Sequence, residues 1–190
     1  MTNMPRCVKL LPCAGCLSLS LAAAAAPQDS APGIYIDLGQ AVHSNANTDS
    51  LTLGAVVPWT HWPQVQGGAM SFYWDFFVSQ WRAPRPHGGD KRNYTQLGVI
   101  ANWRYRFDQG DSPWFVEAGI GGTVMDQLYR TVDREFTTTF QFTEQVGVGR
   151  SFGGQGEHEL SLRLQHFSNA GIKTPNPGET FVRVRYLYRF

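Results

Sequence analysis

The segment TFVRVRYLYRF, residues 180–190, alternates two kinds of side chain with a period of two. Its even positions from Val182 to Phe190 are apolar, whereas its odd positions include Arg183, Arg185 and Arg189. Successive residues of a β-strand point to opposite faces of the sheet, so this segment predicts a strand with one apolar and one cationic face. The fold of the chain depends on which of these two faces points inward.

Two further segments show the same alternation, NYTQLGVIANWRYRF at 93–107 and WFVEAGIGGTV at 114–124. One face carries apolar residues with aromatics near the strand ends, and the other carries Arg, Glu, Gln and Gly. A water-soluble barrel points its apolar face inward and covers its outside with charge, yet only 16% of this chain is charged and 13% is aromatic. That balance predicts the inverse arrangement, with lipid outside and polar groups inside. The terminal Phe190 after alternating residues also resembles the C-terminal signature of bacterial outer-membrane barrels.

About eight such segments follow one another along the chain. They lie near 33–43, 50–59, 69–82, 93–107, 114–125, 136–151, 158–168 and 180–190. Short connections at 108–112 and 152–157 alternate with longer ones at 83–92 and 125–135, as periplasmic turns alternate with outer loops. The sequence therefore predicts an all-β fold, an eight-stranded antiparallel transmembrane β-barrel of the outer-membrane type, integral to the bacterial outer membrane and filled by side chains.

The N-terminus reads as a secretory signal over residues 1–26, which leaves 27–190 as the barrel domain. Arg6 and Lys9 precede an apolar stretch at 10–21 and a run of alanines at 22–26. All three cysteines lie within that signal, so the mature chain is expected to have no disulfide and no cysteine metal site. Removing two cations and no acids changes the net charge from +1 to −1, which argues against a nucleic-acid partner. A homodimer stays open.

The stretch LSLRLQHFSNAGIKTPNPGE, residues 160–179, places His166 and Ser168 on the same strand face as its leucines. Since those leucines face lipid, the two polar residues should face lipid as well, at the outer end of their strand. A polar pair in hydrocarbon is costly unless it is partnered. One interpretation places both residues harmlessly at the headgroup level. The other interpretation is that the residues are catalytic. A histidine can reach a serine two positions away, and Glu179 on the next strand could approach the histidine.

The residues HFSNAGIKTPNPGE, 166–179, closely resemble the active-site stretch of the PagL family, which are outer-membrane lipid A 3-O-deacylases. The signal, the eight strands and the terminal Phe190 agree with that resemblance. It implies an ester hydrolase that uses a Ser-His-Glu triad, with no metal and no cofactor. The implied substrate is the lipid A of lipopolysaccharide, and the implied reaction removes the 3-hydroxyacyl chain that is ester-linked at position 3, among outer-membrane lipids near the outer leaflet.

Carried over by position, the resemblance implies that Ser168 is the nucleophile and His166 the general base. Glu179 would orient the histidine and stabilise its positive charge. Asn176 and the backbone N–H of Gly171 are the candidate donors to the oxyanion.

Asn169 and Lys173 are weaker candidates for substrate binding. Asn169 could bond local backbone instead, as asparagines in turns often do. Lys173 could contact a lipid A phosphate or serve as an ordinary cation at the headgroup level.

Two other functions remain open from the sequence. One is another outer-membrane lipid esterase, such as a phospholipase, or an acyltransferase that moves the chain to an acceptor. The other is a non-enzymatic small barrel with an adhesive or structural role.

One acidic residue does not fit the alternation. Glu144 has the parity of the apolar residues around it in segment 136–151, which leaves a bulge or a partner on a neighbouring strand as explanations. The remaining histidines, at 43, 61, 87 and 158, show no paired spacing that suits a metal.

Overall fold

A computed structural model describes residues 29–42, 47–59 and 69–190 of the chain. It contains eight β-strands: β1 (Gly33–Ala41), β2 (Asp49–Pro58), β3 (Met70–Ala83), β4 (Arg92–Arg106), β5 (Trp114–Met125), β6 (Phe140–Phe152), β7 (His158–Ser168) and β8 (Glu179–Arg189). Each strand pairs antiparallel with the next, and β8 pairs with β1 to close the barrel. A one-turn 3₁₀-helix, Asp108–Gly110, follows β4. Among the described residues, no helix has the length and apolar character needed to span a membrane.

The predicted fold class is confirmed, and seven of the eight predicted segments end within two residues of the observed strands. The exception is β6, which begins at Phe140 rather than at 136. Residue Phe136 belongs to the preceding loop, where its N–H donates to Tyr129 O at 2.9 Å and its ring is buried. The predicted signal at 1–26, together with His43 and His61, lies outside the described residues.

The strands alternate as the inverse arrangement requires. On β4, Leu97 is 56% exposed and Trp103 41%, whereas Gln96, Asn102 and Arg104, at positions of the opposite parity, are fully buried. Apolar side chains therefore cover the outside, and polar ones fill the interior. The closed ladder pairs the backbone groups of every strand with a neighbour, which a structure in hydrocarbon requires because no water is present to satisfy them.

The interior is held by buried ion pairs between arginines and carboxylates. Arg104 donates through both terminal nitrogens to the two carboxylate oxygens of Glu159, each at 2.8 Å, and also contacts Glu117 at 3.0 Å. Arg185 bonds Asp75 at 2.7 Å and lies 3.3 Å from Asp37. Such forked, charge-assisted bonds fix the side chains geometrically as well as neutralising them.

The two ends of the barrel differ. We call the end that carries residues 84–91, 126–139 and 169–178 the loop end, and the end with the short connections 107–113 and 153–157 the turn end. Buried aromatic residues fill the interior at the loop end: Trp81, Tyr94, Tyr129, Phe136, Phe167 and Phe181. Their rings meet mostly edge to face, which makes this end a rigid base for the loops above it.

Asp29 enters the turn end just before β1. Its carboxylate accepts bonds from Arg106 at 2.7 and 2.8 Å and from Arg104 at 2.9 Å. Burial would raise the pKa of Asp29, but the Arg104, Arg106 and Arg189 guanidiniums outweigh it and hold that pKa well below its usual range. The residue therefore stays ionised and extends the interior ion-pair network to the mouth of the barrel.

Replacing Arg104 by alanine should destabilise the barrel by about 3–5 kcal/mol, because the buried carboxylates of Glu117 and Glu159 each lose one of their arginine partners. The measurement is the free energy of unfolding in denaturant, followed by tryptophan fluorescence of the protein refolded in detergent. Arg85→Ala, at an exposed position in the loop after β3, is the matched control and should change this free energy little. Equal stabilities of the two variants would contradict a structural role for the network.

Candidate active site

His166 and Ser168 lie on the outer face at the loop end of β7. Outward and inward residues alternate along this strand, and Leu160, Leu162 and Leu164 are 45–52% exposed on the same face. The predicted orientation is therefore confirmed: both polar side chains project toward the lipid side of the wall. Each is partly buried, so neighbouring strands and the following loop shield it.

The imidazole of His166 is held from two sides. Its Nδ1 lies 2.8 Å from Thr180 Oγ1, the residue directly opposite on β8. The backbone of Gly178 lies against the other edge of the ring, where an added Cβ would stand 2.6 Å from Cε1 and 2.9 Å from Nε2. Gly178 also has φ of +61°, so both its conformation and its closeness to the ring require glycine.

Ser168 ends β7, two residues after His166 and opposite Phe142 on β6. Side chains at positions i and i+2 of a strand point the same way, so the hydroxyl and the imidazole are neighbours on one face. Within the described residues no hydrogen bond joins the two groups. Catalytic hydrogen bonds often become short and well aligned only when substrate is bound, so their proximity is the relevant feature.

Glu179 does not lie on this face. It is fully buried and pairs with the inward-facing Phe167, so its carboxylate points into the barrel. The predicted contact between Glu179 and His166 is therefore wrong. Adjacent strand residues face opposite sides of a sheet, and the position opposite the histidine belongs to Thr180.

Inside the barrel, Glu179 is part of a polar cluster under the loops. Its carboxylate accepts a hydrogen bond from the Tyr129 hydroxyl at 3.0 Å and lies 3.6 Å from Arg134 Nε. Burial and the Glu179 carboxylate raise the pKa of Tyr129, so the phenol keeps the proton that it donates. Glu179 Oε1 also accepts from the N–H of Thr180 at 3.2 Å. The carboxylate thus fixes the backbone immediately before the residue that contacts His166.

Asn169 organises the loop that follows Ser168. Its side-chain amide donates to Thr137 Oγ1 at 2.9 Å and to Lys173 O at 2.8 Å, while its side-chain oxygen accepts from Gly171 N–H at 2.9 Å. The residue is only 1% exposed. The structure therefore gives Asn169 a structural position, the local backbone bonding that the sequence left open.

The two oxyanion candidates differ in availability. Asn176 Oδ1 accepts from Asn169 N–H at 3.0 Å, and no hydrogen bond within the described part of the chain uses the Asn176 amide hydrogens. Gly171 N–H is already bonded to Asn169 Oδ1. The structure thus brings Asn176 next to the residue after Ser168, and Lys173 stands exposed in the same loop.

The loop 126–139 holds the loop 169–178 in place. Arg134 donates to Pro177 O at 2.9 Å and also to Gly178 O. Thr137 Oγ1 lies 3.1 Å from both Lys173 O and Pro175 O. Because these bonds reach backbone oxygens, they position the chain beside the imidazole whatever side chains it carries.

A family model described as "Lipid A 3-O-deacylase (PagL)" matches residues 49–189 of this chain. The chain belongs to this family. It is similar to lipid A deacylase PagL of Bordetella bronchiseptica, with 31% identity over 94% of this chain and 96% of that protein. It is also similar to lipid A deacylase PagL of Pseudomonas aeruginosa, with 30% identity over 90% of this chain and 92% of that protein.

Two solved structures share the architecture. The crystal structure of the outer membrane enzyme PagL is 25% identical, has a TM-score of 0.66, and is matched over 83% of this chain and 99% of that one. The crystal structure of Neisserial surface protein A has a TM-score of 0.51 at 11% identity, covering 84% of this chain and 96% of that one, and shows the fold alone. The predictions of an outer-membrane barrel, of the PagL family and of a hydrolase are thereby confirmed.

The residues that hold the histidine were not predicted from the sequence. Thr180 and Gly178 contact the ring, and Arg134 holds the backbone of the loop around them. A signal for Thr180 was available, because counting back by two from Phe190 through the apolar face of β8 reaches position 180 and leaves 179 inside. No periodic pattern marks Arg134, whose loop contacts depend on the folded barrel.

Replacing Asn169 by alanine should loosen the loop 169–178, because the loss removes three hydrogen bonds worth about 1 kcal/mol each. The measurement is hydrogen exchange of the loop amides in the refolded protein, which should quicken while strand amides stay protected. Lys173→Ala, which removes an exposed side chain from the same loop, is the control and should leave exchange unchanged. Unaltered loop exchange in Asn169→Ala would show that these bonds do not hold the loop.

Proposed function

We propose that this PagL-family protein is a serine esterase that hydrolyses the ester-linked 3-hydroxyacyl chain at position 3 of lipid A. The observation that carries this proposal is the placement of His166 and Ser168 side by side on the lipid-facing wall. A lipid ester can reach that surface without leaving the membrane. The family and the two named relatives support lipid A of lipopolysaccharide as the substrate.

In the proposed mechanism, the hydroxyl oxygen of Ser168 attacks the ester carbonyl carbon while His166 Nε2 takes the hydroxyl proton. The tetrahedral intermediate collapses, the carbon–oxygen bond to the sugar breaks, and the imidazolium returns the proton to the sugar oxygen. A water molecule then attacks the acyl-serine with the same histidine as base, which releases the fatty acid and restores Ser168. Every proton taken by the histidine is returned within each half of the reaction.

Thr180 supports the tautomer that this mechanism needs. When Nδ1–H donates to Thr180 Oγ1 at 2.8 Å, the free lone pair of the ring is on Nε2, the nitrogen that must accept the serine proton. Gly178 limits rotation of the ring from the other edge. We assign Glu179 an indirect, positioning role, because it anchors the start of β8 from inside the barrel through Tyr129 and Arg134.

Asn176 is the stronger candidate for oxyanion stabilisation. Its amide hydrogens are unused within the described residues, and its oxygen is tied to the backbone beside Ser168. Gly171 N–H would first have to leave Asn169 Oδ1. Donors of this kind lower the barrier most when they are already positioned before the charge develops.

The proposed site lies level with the outer leaflet. The short connections of the turn end are typical of the periplasmic side of such barrels, so the loop end faces the exterior. Lipid A occupies the outer leaflet, with its acyl esters just below the sugar. Lys173, exposed in the loop above the site, is placed to meet a lipid A phosphate.

Ser168→Ala and His166→Asn should each reduce deacylation by at least about 10³-fold, because the nucleophile or its base is lost. The measurement is mass spectrometry of lipid A incubated with each refolded protein, which follows loss of one ester-linked 3-hydroxyacyl chain. His158→Asn is the matched control, a histidine on the same face at the opposite end of β7, and should retain activity.

A wild-type rate from either active-site variant would refute the assignment. Phospholipid vesicles supplied in parallel test the rival phospholipase reaction, whose products are lyso-lipid and free fatty acid. Transfer of the chain to an acceptor, in place of its release, would identify an acyltransferase.

A further inference from the structure

Glu144 occupies an unusual place, in the middle of an apolar outer surface. It is exposed on β6 between Phe142 and Val146, which are 38% and 56% exposed on the same face. Its partner on β5 is Ile120, also apolar and 54% exposed. A carboxylate on the lipid face of a barrel strand is costly. A residue in such a place needs a compensating polar partner.

On the neighbouring strand β7, the residue opposite Glu144 is His166. The two residues are directly opposite in the β6–β7 ladder and project from the same face. Opposed residues of an antiparallel pair have Cα atoms about 4.5–5.5 Å apart, which makes the two side chains neighbours on one face. Within the described part of the chain, no hydrogen bond or ion pair of 4 Å or less joins them, so any effect of the carboxylate on the ring acts through the electrostatic field. On its far side the same ring meets Thr180. The imidazole is thus flanked by a hydroxyl on β8 and a carboxylate on β6.

We propose that Glu144 is the positioning carboxylate of the active site. This inference rests on the proposed function. Glu144 takes no part in the proton transfers, in which the proton moves from Ser168 Oγ to His166 Nε2 and then to the departing sugar oxygen. Its negative charge stabilises the imidazolium between those two transfers. Glu144 acts through the histidine and touches no reacting atom.

The other groups around His166 carry no competing negative charge. Thr180 faces it from β8, Leu164 and Ser168 flank it on β7, and the backbone of Gly178 lies against it from the loop. Lys173 is the exposed cation of that loop. Among the described residues, Glu144 is the carboxylate that the strand register places opposite the ring, since Glu179 is inside the wall. In apolar surroundings such a charge acts more strongly than in water.

The first test is Glu144→Gln, which keeps the size of the side chain and removes its charge. We expect kcat for lipid A deacylation to fall about 10- to 100-fold, with a smaller change in KM. A neighbouring negative charge favours a protonated imidazole, so its loss should move the acidic limb of the pH–rate profile to lower pH. Glu144→Asp, which restores the charge, should recover most of the rate and return the limb.

The control is Glu135→Gln, which neutralises an exposed carboxylate in the loop 126–139 that is paired with Arg130 at 2.8 Å. It should leave kcat and the pH profile unchanged. The folded fraction of each variant, read from the mobility shift between unheated and heated samples in detergent gels, should match the wild type. Removing a charge from the lipid face is not expected to unfold the barrel.

A second variant adds a gain of function. Thr180 Oγ1 lies 2.8 Å from Nδ1, so Thr180→Glu places a carboxylate on the other side of the same ring. In the Glu144→Gln background this substitution should recover at least about tenfold of the lost rate, because a carboxylate on either flank can stabilise the imidazolium.

The outcomes separate the two proposals. If the wild type removes no acyl chain beyond what Ser168→Ala removes, the proposed function is overturned and the role of Glu144 falls with it. If the wild type is active but Glu144→Gln retains its kcat and its pH profile, the proposed function stands and the role of Glu144 is overturned. A lower kcat with an unmoved acidic limb, or with no recovery in Glu144→Asp, also overturns it, because a merely structural residue would behave in that way.

Discussion

The constraint on which the whole molecule depends is that backbone hydrogen bonds cannot be left open in hydrocarbon. Closure of β8 onto β1 satisfies that constraint, and it also fixes the register of every strand. Once the register is fixed, each residue belongs to one side of the wall according to its parity. The site follows from this: positions 144, 166, 168 and 180 share the outer side, and position 179 does not.

Carboxylates have different surroundings on the two sides of the barrel wall. Inside, acids such as Glu117 and Glu159 are neutralised by arginines in forked bonds, and the network makes the barrel a rigid support. These carboxylates are committed to structure. Outside, the same side-chain type at Glu144 has apolar neighbours and one polar cross-strand partner. Reactive groups carried by strands of such a rigid support are held more accurately than groups on loops alone.

The period-two alternation in the sequence was sufficient to predict the fold and the outward direction of the His166 and Ser168 side chains. Both depend on a period of two, which the terminal strand shows most clearly. The start of β6 was predicted too early, because Phe136 continues the apolar pattern while packing inside the barrel under a loop. A pattern of hydrophobicity cannot separate an inward loop residue from an outward strand residue.

The candidate site was less predictable for a different reason. Glu179 was assigned from the resemblance of a motif, although the parity of β8 already placed it inside. Thr180 was passed over because a threonine at a strand start has no distinctive pattern. The contacts of Arg134 and Thr137 with the neighbouring loop join segments about 40 residues apart, and no local sequence rule reports them.

The contact of Thr180 with His166 has a consequence for the loop between them. The side of the wall on which a β8 residue emerges is set by its phase relative to the apolar residues of that strand, and the number of residues in the preceding loop does not enter. A change in the length of the loop between Ser168 and Gly178 would therefore not by itself turn position 180 away from the histidine. The contact between Thr180 and His166 depends on the strand, whereas the position of Asn176 depends on the loop bonds of Asn169 and Thr137.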